Sequence, residues 1–357
     1  MTMGGRLTRL ARTRQQYTGE PFQVSRHALH GGDNQRPVTE ATGDQAHLEA
    51  EVLAKLGTGG QWWSHPLGIA HVRPAFQSAL IQLDSHTRFR RGTPYPRTAH
   101  ALDRLLPSAE PGVQVTGVIG LRVASIEGVD LHLSLSGTTS RVILRGVPGT
   151  RWDELLDERW HRWKEAGCPP LWRSPSLTDH EEADILGHPE TWKDERDLDW
   201  IGSALLRRVA LFHTWSSAYS TRSWITGDEW IFELDTVLGV PLGHDVFLER
   251  LLDPVWGLPL RVDRHHCSCA ERRDPDEGVH LRQCTYHLRY IGLPRGGLQL
   301  RFRHGHAVYA STDLRAVLES VGSPVKWLDR VLPASSSGLW GATRRHRPSR
   351  RLETGSR

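Results

Sequence analysis

Apolar residues recur at helical spacing in the first part of the chain. Residues 7–12 predict a short basic helix, which Gly19 and Pro21 end because both residue types interrupt helices. A second helix is predicted over residues 22–29, before a glycine pair. Leucines and a valine then share one helical face and predict a third helix over residues 44–56.

The pattern changes to strands in the middle of the chain. Valine, isoleucine and leucine lie between regularly spaced glycines over residues 112–147, which predicts a β-meander. Residues 150–200 are acidic and helical in pattern, and Thr178 with Glu181 forms a predicted capping box. We expect, in order, a helix over 201–218, a strand over 230–240, a helix over 245–252, β-structure over 258–311 and a last helix over 311–321.

These patterns predict an α+β fold with two antiparallel β-containing units separated by an acidic helical segment. An Arg-rich N-terminal arm precedes this body, and a Ser, Gly and Arg tail with the composition of a disordered segment follows it. The predicted divisions are 1–36 for the arm, 37–149 for the unit with the meander, 150–218 for the acidic helices, 219–332 for the second β-containing unit and 333–357 for the tail.

Composition limits the class of protein. Hydrophobic residues make up 38% and charged residues 24% of the chain, which is typical of a folded protein. No apolar run approaches the length of a membrane span, and no apolar segment of a signal peptide follows the first arginines. We therefore expect a cytoplasmic protein that does not enter a membrane. Four cysteines in a chain of this length do not form a disulfide framework.

Basic charge is concentrated at the two ends of the chain, and nearly all of it is arginine. A GC-rich genome would also favour arginine over lysine. The positions of the basic residues along the chain are therefore more informative than the ratio of arginine to lysine. Guanidinium groups suit phosphate recognition, and phosphate neutralisation gives affinity for DNA or RNA. The predicted contacts are Arg6, Arg9, Arg12 and Arg14 in the arm and Arg344, Arg345, Arg347, Arg350 and Arg351 in the tail.

Three of the four cysteines lie close together in a histidine-rich segment. Strands over 258–270 and 279–291 joined by an exposed loop would form a hairpin. If Ala270 pairs with Val279, the hairpin places His265, Cys267, Cys269, His280 and Cys284 on one face. His287 would join them if residues 284–287 turn. Cysteine and histidine are the ligands of structural zinc, so we predict a zinc site that stabilises the hairpin. The alternative is that the cysteines are small apolar residues of a buried sheet face.

One further group suggests an enzyme. His244 and Asp245 are adjacent, His213 precedes them and Asp253 follows, and these residues resemble the metal-binding pattern of phosphohydrolases with an HD domain. That family is helical, whereas residues 224–235 have a strand pattern, and His244 with Asp245 also suits the start of a helix. The sequence therefore predicts a nucleic-acid-associated accessory protein with structural zinc. A protein-interaction scaffold, with acidic helices and tryptophans as the partner surface, and a metal-dependent phosphohydrolase are the alternatives.

Overall fold

The computed structural model describes residues 3–30, 37–57, 59–89, 93–109, 115–187, 189–214, 218–236, 244–268, 282–292, 296–304 and 319–322. The fold is α+β, as the sequence predicts. The helices are α1 (Met3–Thr18), α2 (Phe22–His30), α3 (Gly43–Leu56), α4 (Arg97–Leu105), α5 (Trp152–Glu165), α6 (Asp179–Gly187), α7 (Pro189–Arg207) and α8 (His244–Leu251). The predicted tail and most of the predicted last helix lie outside the described residues.

The strands form two main sheets and a short pair. They are β1 (Gly59–Trp63), β2 (Ile69–Ala75), β3 (Ser78–Leu83), β4 (His86–Phe89), β5 (Pro94–Pro96), β6 (Ser108–Ala109), β7 (Val115–Thr116), β8 (Leu121–Glu127), β9 (Asp130–Leu135), β10 (Arg141–Arg145), β11 (Ala218–Thr226), β12 (Glu229–Thr236), β13 (Leu260–His266), β14 (Arg282–Tyr290) and β15 (Gly297–His304). Pro66–Gly68 and Val209–Thr214 are 3₁₀ helices.

The predicted meander is confirmed in β8, β9 and β10. These strands pair antiparallel in sequence order, and β10 then pairs in parallel with β3 in a five-stranded sheet of order β2-β3-β10-β9-β8. Inward-facing Leu131, Leu133, Val142 and Leu144 are fully buried, so one face of this sheet enters the core. The apolar pattern therefore fixes which face of the sheet is inside.

The larger sheet has eight strands in the order β13-β14-β15-β12-β11-β1-β4-β5. It combines strands from both predicted β-containing units, because β1 pairs with β11 antiparallel. Most pairings are antiparallel, whereas β12 and β15 run parallel. The two units that the sequence separates thus share one sheet, and buried residues of both contribute to the same hydrophobic core.

The acidic segment is helical, and the capping box at the start of α6 is confirmed. Thr178 N–H donates to Glu181 Oε2 at 2.9 Å, and Glu181 N–H donates back to Thr178 Oγ1 at 3.4 Å. The helix predicted over 201–218 is too long, since α7 ends at Arg207 and a 3₁₀ helix follows. The strand predicted over 230–240 is the second half of a hairpin whose first half is β11.

Helix α7 packs against α3 and the eight-stranded sheet at the centre of the molecule. The Arg207 guanidinium donates to both oxygens of the Glu49 carboxylate at 2.6 Å, and both side chains are fully buried. Buried charges are tolerated only when they are paired and hydrogen-bonded, which this pair is. Among the described residues, no helix combines the length and apolarity needed to cross a membrane.

Candidate metal centre

Two of the clustered cysteines lie across the β13–β14 hairpin from one another. Leu260 pairs with Tyr290, and beyond a bulge at Asp263 His265 pairs with Tyr286. The register predicted from the sequence, with His265 opposite Cys284, is therefore wrong by one residue at Leu260 and by two residues beyond the bulge. A bulge adds one residue to one strand, and alternating apolarity gives no sign of it here because β13 is an exposed edge strand.

Alternation along β14 places Cys284 on the core face of the sheet. Cys284, Tyr286 and Leu288 are buried, whereas the residues between them are half-buried. Cys267 directly follows β13 and is exposed, so the pair lies where the hairpin passes from the core to the surface. The predicted sharing of one face by these two cysteines is confirmed by a distance of 3.4 Å between their sulfur atoms.

Helix α8 adds a histidine to the two cysteines. His244 begins this helix and lies on the same helical face as Phe247, Leu248 and Leu251, all of which are buried. Residues three, four and seven positions apart share a helix face, so packing this apolar stripe directs His244 inward. Its ring lies beside those of Tyr286 and Phe302, tilted to both, with centroid separations of 5.6 and 5.8 Å.

The three side chains converge on one point. His244 Nε2 lies 3.5 Å from Cys267 Sγ, which is 3.4 Å from Cys284 Sγ, and all three atoms lie within 4.8 Å of one another. Bond lengths of about 2.3 Å to sulfur and 2.0–2.1 Å to nitrogen give tetrahedron edges of about 3.8 Å between sulfurs and about 3.6 Å between sulfur and nitrogen. The cluster can therefore hold a metal ion with little rearrangement.

Two neighbours orient these donors. Asp245 Oδ1 lies 2.7 Å from His244 Nδ1, so the carboxylate accepts the ring proton and leaves the Nε2 lone pair directed at the sulfurs. The Tyr286 hydroxyl hydrogen-bonds to Cys267. Burial raises the pKa of Tyr286, and the neighbouring sulfur of Cys267 raises it further, so the phenol stays protonated as a donor. Such outer contacts fix ligand orientation at metal sites.

The structure places two other predicted ligands elsewhere. His265 is exposed and stacks on the Tyr286 ring at 5.6 Å with an interplanar angle of 6°. His287 lies on the opposite face of β14, where its Nδ1 is 3.0 Å from Glu229 Oε1. The strand is continuous from 282 to 290, so residues 284–287 make no turn. Cys269 and His280 lie outside the described residues.

The enzyme candidates do not assemble as one group. His213 Nε2 donates to the Ile69 carbonyl at 3.0 Å, and its ring lies beside His65 at a centroid distance of 4.9 Å. His244 and Asp245 instead belong to the cluster with the two cysteines. Among the described residues, the carboxylate and histidines of the predicted phosphohydrolase centre are therefore divided between two places.

The basic arm also divides into two parts. Arg6, Arg9 and Arg12 are exposed and three residues apart on α1. Arg14 is buried, where its guanidinium donates to Glu20 Oε2 at 2.6 Å and to the Pro37 carbonyl at 2.7 Å. The tail arginines from 344 to 351 lie outside the described residues.

Comparison with known proteins adds no relative, since the chain matches no family model, no curated protein and no solved structure. The functional conclusion therefore depends on the cluster itself. Sequence reasoning missed two contacts: that of His244 with the cysteine pair, because it grouped His244 with His213 and Asp245, and that of Tyr286 with Cys267. The placement of His244 on the apolar face of α8 is the sequence signal that could have revealed the first.

Proposed function

We propose that His244, Cys267 and Cys284 bind a zinc ion that stabilises the fold. The observation that carries the proposal is the convergence of three donor atoms, from a helix, a strand and a strand end, within 4.8 Å of one another. The two separations from Cys267 Sγ are close to the edges of a zinc tetrahedron. Thiolate with imidazole selects zinc or other soft ions over magnesium and calcium.

The positions of the ligands favour a structural role for the zinc. His244 begins α8, whereas the cysteines belong to the hairpin at the edge of the eight-stranded sheet. One ion would therefore connect the helix to an edge strand that is otherwise exposed along most of its length. Structural zinc takes four protein ligands. His265 and His287 make other contacts, so Cys269 and His280 are the sequence candidates that are left for the fourth position.

The test is elemental analysis of the purified full-length chain. We expect about one zinc per chain, in line with a single site, and its loss in His244→Gln, Cys267→Ser and Cys284→Ser. Cys168→Ser is the matched control, because Cys168 lies in another part of the chain, directly after a turn, where its sulfur contacts the Ala166 carbonyl. Cobalt substitution should give thiolate-to-metal charge-transfer absorption. Metal-free wild-type protein, or full retention in all three variants, would exclude the site.

Two further variants identify the fourth ligand. Loss of zinc affinity in Cys269→Ser alone would assign the position to that thiolate, and loss in His280→Ala alone would assign it to the imidazole. No loss in either would leave three protein ligands and a coordination position for water, which is the arrangement of catalytic zinc.

We also propose that the exposed face of α1 binds nucleic acid. Arg6, Arg9 and Arg12 lie on one side of the helix, and no ion pair is formed by any of them in the part of the chain that is described. Three guanidinium groups in a row can neutralise successive phosphates, which gives sequence-independent and salt-dependent affinity. Buried Arg14 holds the helix in place and does not contribute to this surface.

The test compares two triple variants of equal charge. Arg6→Gln/Arg9→Gln/Arg12→Gln should weaken duplex binding and reduce the slope of log affinity against log salt by about three. The control is Arg151→Gln/Arg162→Gln/Arg173→Gln, which removes exposed arginines that pair with carboxylates on or near α5. Equal losses in both variants would show a general charge effect, and absence of binding at low salt would exclude the proposal.

A further inference from the structure

The two cysteines of the metal centre also form a pair with a chemistry of their own. Their sulfur atoms are 3.4 Å apart, which is a van der Waals contact. Cys267 is exposed and Cys284 is fully buried. A dissolved oxidant therefore reaches the exposed sulfur of Cys267 before the buried sulfur of Cys284.

The separation is small compared with what a disulfide requires. A disulfide bond is about 2.0 Å long, so the sulfurs must approach by about 1.4 Å. Cys267 directly follows β13, and Cys284 lies in the paired strand, so rotation of the exposed side chain at the strand end can supply much of this movement. No distant segment has to move toward another.

We infer that Cys267 and Cys284 form a disulfide when a peroxide oxidises the protein, and that this oxidation releases the metal ion. The first half rests on the sulfur–sulfur contact alone. The second half rests on the proposed zinc site, because a disulfide sulfur no longer has the thiolate charge that binds zinc. Zinc binding and the disulfide are then mutually exclusive states of one site.

The chemistry balances with hydrogen peroxide as the oxidant. The Cys267 sulfur attacks one peroxide oxygen, the O–O bond breaks, and Cys267 sulfenic acid and water form. The Cys284 sulfur then attacks the Cys267 sulfur, the S–O bond breaks, and the hydroxide leaves as water with the Cys284 proton. Two thiols lose two electrons in total, and one peroxide is reduced to two waters. In the zinc-bound state, two protons from solvent replace those of the thiols.

Loss of the metal has a structural consequence. Of the three donors, only His244 remains able to bind zinc after oxidation, and one imidazole with at most one further protein ligand does not retain the ion. Helix α8 then loses its metal connection to the hairpin, while the disulfide still joins β13 to β14. Oxidation therefore changes the attachment of α8 and leaves the hairpin crosslinked.

The experiment treats the full-length chain with hydrogen peroxide in two forms, as purified and after removal of metal by a chelator. We expect the loss of two hydrogen atoms per chain by intact mass, a Cys267–Cys284 crosslink by peptide mapping, and reversal by dithiothreitol. A chromophoric zinc indicator should record one zinc released for each disulfide in the protein as purified. Cys168→Ser should behave as wild type, and Cys284→Ser should stop at Cys267 sulfenic or sulfinic acid.

The outcomes separate this inference from the zinc proposal. A disulfide in protein that never held zinc would support the oxidation and exclude the metal site. Bound zinc in a protein whose metal-free form gives no Cys267–Cys284 crosslink would support the metal site and overturn the inference. A crosslink from Cys284 to Cys269 in place of Cys267, absent in Cys269→Ser, would also overturn it.

Discussion

Asp245 and His244 are neighbours in the chain, and their side chains hydrogen-bond to each other at 2.7 Å across the first turn of α8. The histidine is buried, whereas the aspartate side chain is 88% exposed. The Asp245 carboxylate therefore lies at the surface but sets the tautomer of the buried His244 ring. In this tautomer the lone pair is on Nε2.

This relationship predicts that Asp245→Asn weakens metal binding without unfolding the protein. Loss of an outer-shell carboxylate typically reduces metal affinity by about 10- to 100-fold. The measurement is competition with a zinc chelator of known affinity. Glu249→Gln is the matched control, since Glu249 is an exposed carboxylate of the same helix. An equal decrease in both variants would indicate that net charge, not ring orientation, sets the affinity.

The buried pair Arg207–Glu49 predicts a large loss of stability when one charge is removed. Glu49 also accepts a hydrogen bond from Ser203 at 2.6 Å, and Arg207 also donates to the Ala75 carbonyl at 2.9 Å. Arg207→Met would leave an unpaired buried carboxylate, which costs about 3–5 kcal/mol. Urea denaturation measures the change in free energy of unfolding.

The same two helices provide the control for this prediction. Arg196 of α7 faces Asp44 of α3 at 3.9 Å, and both side chains are about half exposed. An exposed pair contributes about 0–1 kcal/mol, so Arg196→Met should have little effect. Comparable destabilisation by the two variants would contradict the argument from burial.

Replacing Gly202 of α7 with alanine should also lower stability, here because the added methyl group overpacks the core. A Cβ atom at this position would lie 2.5 Å from Trp230 Cη2 and 2.9 Å from Ala50 Cα. Alanine favours a helix by about 1 kcal/mol over glycine, but overpacking a rigid core costs about 1–3 kcal/mol. Gly202→Ala should therefore lower the melting temperature. Gly187→Ala in α6, where a Cβ meets no atom within 4 Å, should leave it unchanged or raise it.

Single helices and hairpins were predictable because their sequence signals span only a few residues. The strand order of the eight-stranded sheet was not predictable. The meander, the capping box of Thr178 and Glu181, and the first three helices follow from spacing within a few residues. The pairing of Gly59 with Thr221 joins segments far apart in the chain. The glycines that begin this short strand give it no alternating apolar pattern from which the pairing could be predicted. Long-range pairing depends on total burial, which a local pattern does not contain.

The site was partly predictable for the same reason. Cys267 and Cys284 are conspicuous because cysteine is rare in this chain, and their shared face follows from strand alternation. Their exact register depends on the bulge at Asp263, which leaves no mark in the hydrophobic pattern. His244 joins them through the packing of α8 on the sheet, so its place in the cluster required the tertiary structure.

The environment of His71 predicts that the stability of the fold depends on pH. Burial lowers the pKa of His71 to about 4, with Arg145 and Arg73 opposing the second positive charge. An unfolded chain takes up this proton near pH 6.5. The folded state therefore binds fewer protons between these two values, and stability that is complete above pH 6.5 is lost as the pH falls toward 4.

Replacing His71 removes this part of the acid sensitivity. Between pH 7.5 and 5.0 the wild-type free energy of unfolding should fall by about 2 kcal/mol more than that of His71→Gln. Urea denaturation of both proteins at the two pH values measures the difference. His180→Gln, which replaces an exposed histidine of α6, should keep the wild-type dependence. If the free energy of unfolding of His71→Gln falls as much as that of wild type between the two pH values, the acid sensitivity arises from other groups. The neutral ring of His71 then does not contribute to it.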